Sequence, residues 1–250
     1  MFYLVFKSQW GKTLEKKMSF TFTLSDRTSM LSAKIYPPII LNEENDYSLG
    51  LINFESYNSI PNVDITNNLF HFDNSGEIAL PEGSYEIEDI NEYLNKQLQN
   101  IKESDPVQLQ IKGNHNTLKC EIWCNKSIDF SKNRSIGGLL GFGNKKLAPN
   151  QLHVSENPVD IFKVNCISIE CNLVTNSYNN GNPVHIIHMF YPITPPGFKI
   201  VEKPTNVIYL PISTRYIDEI LLKITDQDGK LVNFRNELIT VRLHLKNSSA

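Results

Sequence analysis

Apolar and polar positions alternate most regularly in the last quarter of the chain. Ile239, Val241, Leu243 and Leu245 fall on one face, and Thr240, Arg242, His244 and Lys246 on the other. A side-chain period of two means one buried and one wetted face, as in a strand of an antiparallel sandwich. Ile220, Leu222 and Ile224 alternate in the same way and run into Asp226-Gln227-Asp228-Gly229. Asp-Gly favours positive φ, which predicts a reversal at Gly229 and a return through Leu231 to Phe234. Ile208, Leu210 and Ile212 predict a further strand, bracketed by Pro204 and Pro211. No helical period interrupts these segments, so the fold class is all-β.

Earlier segments agree. Phe20, Phe22 and Leu24 start to alternate directly after Met18, itself a candidate second start. The segment from Leu31 to Leu41 is apolar but holds Pro37-Pro38, which suits an extended edge position. Tyr47, Leu49 and Leu51 open a strand ending near Tyr57. Short strands follow at Phe70–Phe72 and Ile78–Leu80. Val107, Leu109 and Ile111 pair with Leu118, Cys120, Ile122 and Cys124 through the turn at 113–116. Ile167, Ile169, Cys171 and Leu173 make another inward face, and His185–Tyr191 a short strand. One amphipathic helix stands out: Ile87, Ile90, Leu94, Leu98 and Ile101 recur at helical spacing, with acids at its start and Lys96 and Lys102 at its end. Asp105-Pro106 is expected to stop it, and it is expected to cap an open end of the sandwich. Ser135–Phe142, rich in glycine, reads as a helical turn packed on the sheet. The polar stretches 145–158 and 175–183 read as loops.

Composition adds little to this picture. The chain has 250 residues, 40% hydrophobic and 20% charged, enough for one substantial β domain with its own core. A net charge of −3 offers no overall basic field for nucleic acid or anionic membrane. Only residues 1–17 are basic, with Lys7, Lys12, Lys16 and Lys17 against Glu15. This segment reads as a flexible N-terminal arm; contact with packaged nucleic acid is conceivable, but a solvated terminus is the preferred reading. No secretory signal is visible, since the apolar run MFYLVF is short and lacks a basic leader. No stretch approaches the roughly 20 apolar residues of a membrane span. Four cysteines are too few for a disulfide framework and suit a reducing compartment.

Candidate chemistry is weak throughout. Gly11-Lys12-Thr13 ends like a phosphate-binding loop, but Phe6 stands where its first glycine belongs. The glycines from Gly137 to Gly143 lack dinucleotide-fingerprint spacing and read as close backbone packing. Cys120 and Cys124 share a strand face yet stand about 13 Å apart at ~3.3 Å per residue. Zinc needs its sulfurs at about 2.3 Å. Cys166 and Cys171 have opposite parity, and so do His185 and His188. Buried free thiols are expected at Cys120, Cys124 and Cys171. Asp226 and Asp228 resemble the start of a calcium loop whose glycine is misplaced. The Asn-x-Ser/Thr matches at Asn125, Asn133 and Asn247 carry no weight without a secretory route. No catalytic, cofactor-binding or metal residue is assigned, no cofactor is expected, and no enzymatic role is supported.

Several runs, in order, carry a resemblance: YSLGLINFESYNSIPNV from Tyr47, SIGGLLGF from Ser135, and then NVIYLPI, IDEILLKITDQDG and NFRNELITVRLHLK. Together they resemble the capsid proteins of Polinton (Maverick) elements and related viruses, over about Met18 to Lys246. The resemblance implies a jelly-roll β-sandwich with one short helix and elaborated loops, acting as a structural subunit of an icosahedral shell. The chain's size is nearer the minor, penton component than a double-barrel hexon-like major protein. The expected layout is an arm (1–17), a single jelly-roll domain (18–246) and a C-terminal tail (247–250). Expected partners are further copies in a homopentamer and major capsid neighbours, with no membrane contact. The expected location is a virion assembled inside the host cell, without secretion. The rival reading is a monomeric β-sandwich module that binds a ligand or protein in a loop pocket.

Overall fold

A computed structural model of the chain describes residues 19–101 and 106–248. The arm at 1–17, including its Gly-Lys-Thr, lies outside them, as do Lys102 and Asp105. In chain order the elements begin with β1 (Ser19–Asp26), β2 (Met30–Ile40) and β3 (Tyr47–Tyr57). A long excursion follows: β4 (Leu69–Phe72), β5 (Gly76–Ala79), α1 (Ile87–Gln99), β6 (Leu109–Asn114), β7 (Lys119–Cys124), β8 (Ile128–Asp129), β9 (Lys146–Leu147) and β10 (Gln151–Pro158). The chain then makes β11 (Ile167–Cys171), β12 (Ser177–Asn179), β13 (Asn182–Val184), β14 (Ile186–Phe190), β15 (Lys199–Glu202), β16 (Leu210–Pro211), β17 (Tyr216–Thr225) and β18 (Ile239–Asn247).

Two antiparallel sheets face each other. One runs β1-β18-β3-β15, with β16 also on β3, and the other runs β14-β11-β17-β2. The last strand is wedged between the first and third, and the second-last between the second and the first strand after the excursion. That interleaving is the double Greek key of an eight-strand jelly roll. The alternating faces read in the sequence meet in its core: Ile239, Val241, Leu243 and Leu245 pack with Leu49, Leu51, Ile169, Leu222 and Ile224, all essentially inaccessible. Each such burial is worth about 1.5–3 kcal/mol. Two bulges change strand parity. In β3 the register steps from Arg242↔Asn53 to Leu243↔Leu51, leaving Ile52 unpaired. The extra residue turns Phe54 inward, where its ring lies 5.1 Å from Phe190 and 6.2 Å from Phe234. A step between Ile217 and Glu219 does the same for Ile217 and Ile220.

The excursion between β3 and β11 has its own core. Its sheets, β10-β7-β6 and β5-β4-β8-β9, enclose Phe70, Phe72, Ile122, Phe130, Ile136 and Leu140 together with Leu94 of α1. The single span drawn over 18–246 therefore contains two buried clusters. The helix forms as its spacing predicts, with a reciprocal capping box between Glu86 and Asp89. It stops at Gln99, before Pro106, and Ile101 lies beyond it. Its buried side, Ile87, Ile90, Leu94 and Leu98, joins the second core instead of capping the sandwich directly. Asn91 Oδ1 accepts the Ile111 amide at 2.8 Å and ties the helix to β6.

Four local readings are corrected. The stretch 145–158 is not a loop: it holds β9 and β10. β10 is an edge strand whose side chains, apart from buried Ser155, are mostly wet, so its alternation carries no hydrophobic signal. The stretch 175–183 forms most of the β12–β13 hairpin, turning at Asn180 (φ 49°) and Gly181 (φ 81°). Positive φ at both positions is what an Asn-Gly hairpin turn requires. Around Ile208 only Leu210–Pro211 pairs, because 207–209 crosses the outer face of β3 at Gly50. A Cβ there would sit 2.5 Å from Val207 and 3.0 Å from the Ile208 carbonyl oxygen. The return after Gly229 is a single Thr225↔Leu231 bridge, since the chain must leave for the other sheet. At the C-terminal end, Asn247 pairs with Tyr47 and the Ser248 amide bonds the Asp46 carbonyl at 2.7 Å.

Gly229 has φ 76°, and the Asp226 carboxylate caps the turn by accepting the amides of Asp228 and Lys230 at 2.9 Å. Gly229→Val places a β-branched residue in the left-handed region. Its unfolding free energy, measured by denaturant titration, is expected to fall by at least about 1 kcal/mol.

Candidate functional site

In a jelly roll the connections gather at two poles. At one pole lie the β1–β2 turn, the excursion, the β14–β15 loop and the β17–β18 loop. Ser29 Oγ donates to the Val232 carbonyl, and Arg27 donates to the Asn236 carbonyl at 2.8 Å. The excursion sits on this pole through polar bridges. Within the excursion, buried Asn62 accepts the Tyr85 amide at 2.9 Å and donates to the carbonyls of Tyr85 (2.8 Å) and Ile161 (3.1 Å), tying its first and last segments together at the base. Gln227 accepts the Asn165 amide and donates to the Lys163 carbonyl, both at 3.1 Å. Asn58 donates to the Thr194 carbonyl at 2.6 Å, and Asn233 to Glu82 at 3.0 Å. Asp64 and Lys163 form an ion pair across the two connecting strands.

These bridges surround an open cavity of about 600 Å³. Its walls are apolar: Ile60, Pro61, Tyr85, Phe162, Val164 and Ile193, with prolines from the β14–β15 loop. Phe162 is 72% exposed and Ile193 91% exposed. Three charged side chains line it, Glu86, Asp89 and Lys163. Lys163 is neutralised by Asp64, and Glu86 and Asp89, whose carboxylates also cap the start of α1, leave the rim with a net acidic charge. No motif pointed to this cavity; the Pro192-x-x-Pro195-Pro196 run with Ile193 was its only sequence signal.

The sandwich edges form the second candidate surface. On one edge β14 and β15 leave Met189 and Val201 exposed, with Tyr191 and Phe198 exposed in the loop directly beyond them, and His188 bonds Glu202 across the two sheets at 3.0 Å. On the opposite edge β2 exposes Met30, Tyr36 and Ile40, with Tyr36 95% exposed. Clusters of exposed apolar side chains on a folded domain mark contact surfaces.

The residues weighed as chemistry are scattered. Cys120 and Cys124 lie in the second core, Cys171 in the first, and Cys166 is buried apart from both; all four are free thiols. Burial pushes the Cys120 thiol up to about 12 and that of Cys171 to about 11, and raises Cys124 and Cys166 as well. His185 bonds the Val174 carbonyl at 2.7 Å, away from His188. The Gly137–Gly143 run is a turn in which a Cβ at Gly137 would strike the Phe130 ring and one at Gly141 the Asn157 carbonyl. Among the described residues no three His, Cys, Asp or Glu side chains converge as metal ligands, and no helix is long and apolar enough to cross a membrane.

Two outcomes follow from this geometry. A thiol reagent at mildly alkaline pH should label the cysteines only after denaturant is added, because native thiolates are both rare and covered. Rapid labelling of two or more native thiols would contradict the packing. At the junction, burial raises the Asp64 carboxyl, but Lys163 and the Thr66 hydroxyl and amide outweigh it, taking the group from 3.8 to about 2. A depressed folded value stabilises above the ordinary carboxylate range and is lost as pH falls through the folded one. The stability difference between native protein and Asp64→Asn should therefore be full near neutral pH and close between about pH 4 and pH 2.

No protein-family model matches this sequence, and no curated protein matches it. Among solved structures the chain is similar to the mavirus penton protein, with a TM-score of 0.47 and 14% identity, covering 93% of this chain and 100% of that one.

Proposed function

We propose that this chain is a structural subunit of an icosahedral capsid-like shell, and within it the penton-type component that closes fivefold vertices as a homopentamer. The observation that carries this reading is the exposure of apolar side chains on opposite edges of one jelly roll, Tyr191 and Val201 on one side, Met30 and Tyr36 on the other. A cyclic ring needs two different surfaces on each subunit, repeated head to tail until the rotation closes. The family resemblance in the ordered runs from Tyr47 to Lys246 points the same way. On this reading the excursion stands at one pole of each subunit, clear of the flanks. Neighbouring major capsid subunits would be the other partners, in a particle assembled inside the host cell.

The junction cavity favours the rival reading, a β-sandwich module that binds a ligand or protein as a monomer. Light scattering on the purified protein separates the two. Five subunits are expected, at high concentration or with the major capsid protein present. Each contact should bury at least ~1,000 Å². Tyr36→Asp and Tyr191→Asp, both at exposed positions, should each shift the population to monomer with little change in melting temperature. A strict monomer under both conditions would overturn the ring, and a stable trimer would point to a hexon-like role.

A further inference from the structure

The β2 edge carries a knob. Its register against β17 steps from Glu219↔Lys34 to Ile217↔Ile39, so residues 35–38 stand opposite the single Asp218. Surplus residues in one strand of a ladder leave the pairing and bend away from it. Here they hold out Tyr36, 95% exposed, beside exposed Pro37, while Ile35 turns back and packs on the first core. A ring standing this far in water gains free energy from any surface that covers it. Lys34 is also exposed, two residues earlier and about 7 Å along the strand.

The junction cavity is a hole of matching chemistry. It opens at the end of the opposite edge, where Tyr191 runs directly into Pro192 and Ile193 of its wall. Phe162, Ile193 and Pro195 offer apolar surface. Polar groups of the wall are already used: Asn58 donates to the Thr194 carbonyl at 2.6 Å, and Ser84 to the Ile60 carbonyl at 2.9 Å. An occupant therefore gains by apolar contact more than by hydrogen bonds. The volume of about 600 Å³ suits a group larger than one phenol ring, so the ring and its proline enter together. The net acidic rim at Glu86 and Asp89 complements Lys34.

We infer that the junction cavity of one subunit is the socket for the Tyr36-Pro37 knob of the next copy, with Lys34 set against Glu86 and Asp89. This rests on the ring reading and names the side chains that close each contact. Rotation about a ring axis leaves every height along that axis unchanged. Tyr36 lies six residues past Met30, about 20 Å at ~3.3 Å each from the pole where the cavity opens. The strands of each subunit must therefore lie oblique to the axis, and the neighbour touches the excursion only at its base.

The test uses the full-length chain, co-assembled from isotopically heavy and light protein. The photo-crosslinking residue benzoylphenylalanine replaces Tyr36 in one experiment and, reciprocally, Ile193 in another; both positions are exposed and leave the cores untouched. From position 36, adducts should join two chains and map to 58–62, 84–89, 161–164 and 192–196. From position 193, they should map to 32–40 of a different chain. Lys34→Glu should lower both yields several-fold without moving the melting temperature. Light scattering on the same samples keeps the socket and the ring apart. Five subunits with adducts elsewhere, with adducts confined to one chain, with yields indifferent to Lys34→Glu, or with none would overturn the socket and leave the ring. A strict monomer would overturn both.

Discussion

The structure depends on the insertion of β18 between β1 and β3. Those strands are more than 180 residues away in sequence, yet the register is continuous from Ser19↔Lys246 to Asp26↔Ile239 on one side and spans β3 on the other. Until that strand docks, the inner face formed by Leu49, Leu51 and Phe54 has no neighbour to close against, and its sheet is split. The same interleaving in the facing sheet, with β17 between β2 and β11, sends consecutive connections to alternate poles. That geometry brings four connections together and provides the platform on which the excursion stands.

The two halves of the molecule are joined by different physics from that which holds each together. Inside each core, aliphatic and aromatic side chains pack without water: Phe54 against Phe190 in one, Phe130 against Phe142 at 5.1 Å in the other. Between them run side-chain bonds to backbone groups, from Gln227 to Asn165 and Lys163 and from Asn58 to Thr194, beside Ile60 and Val164, which pack against the first core. A side-chain amide of this kind fixes position, because its partners would otherwise be left desolvated and unpaired. It contributes little apolar burial, and the cavity opens at this seam. Phe162 and Ile193 are left exposed at the seam and Met30, Tyr36, Met189 and Val201 on the sandwich edges, places where further chain can be added without disturbing either core.

Much of the β framework was legible in the residues. Strict alternation located β18 and the end of β17, the proline pair placed β2 on an edge, and helical spacing located α1. Asp228-Gly229 identified its positive-φ turn because that conformation is a local property of two residues. The burial of Cys120, Cys124 and Cys171 also followed from strand parity and apolar neighbours, whereas that of Cys166 did not. Where the signal failed, the cause was specific. β10 and the β12–β13 hairpin carry few apolar residues, so an edge strand and a surface hairpin looked like loops. The bulges at Ile52 and beside Ile217 shift parity by one residue, which no alternation pattern can announce.

What the sequence determined by itself was which face of each strand is buried, since a period of two and a period of 3.6 are properties of neighbouring residues. What only the tertiary structure decided was which strands are neighbours, that residues 58–166 form a second core, and that Asn58, Tyr85, Phe162 and Ile193 meet around one cavity. Those relations join residues as far apart as Ser19 and Lys246, and they are set by the Greek-key path. Local chemistry fixes a strand's faces; the entropy and handedness of long connections decide where the strand lies.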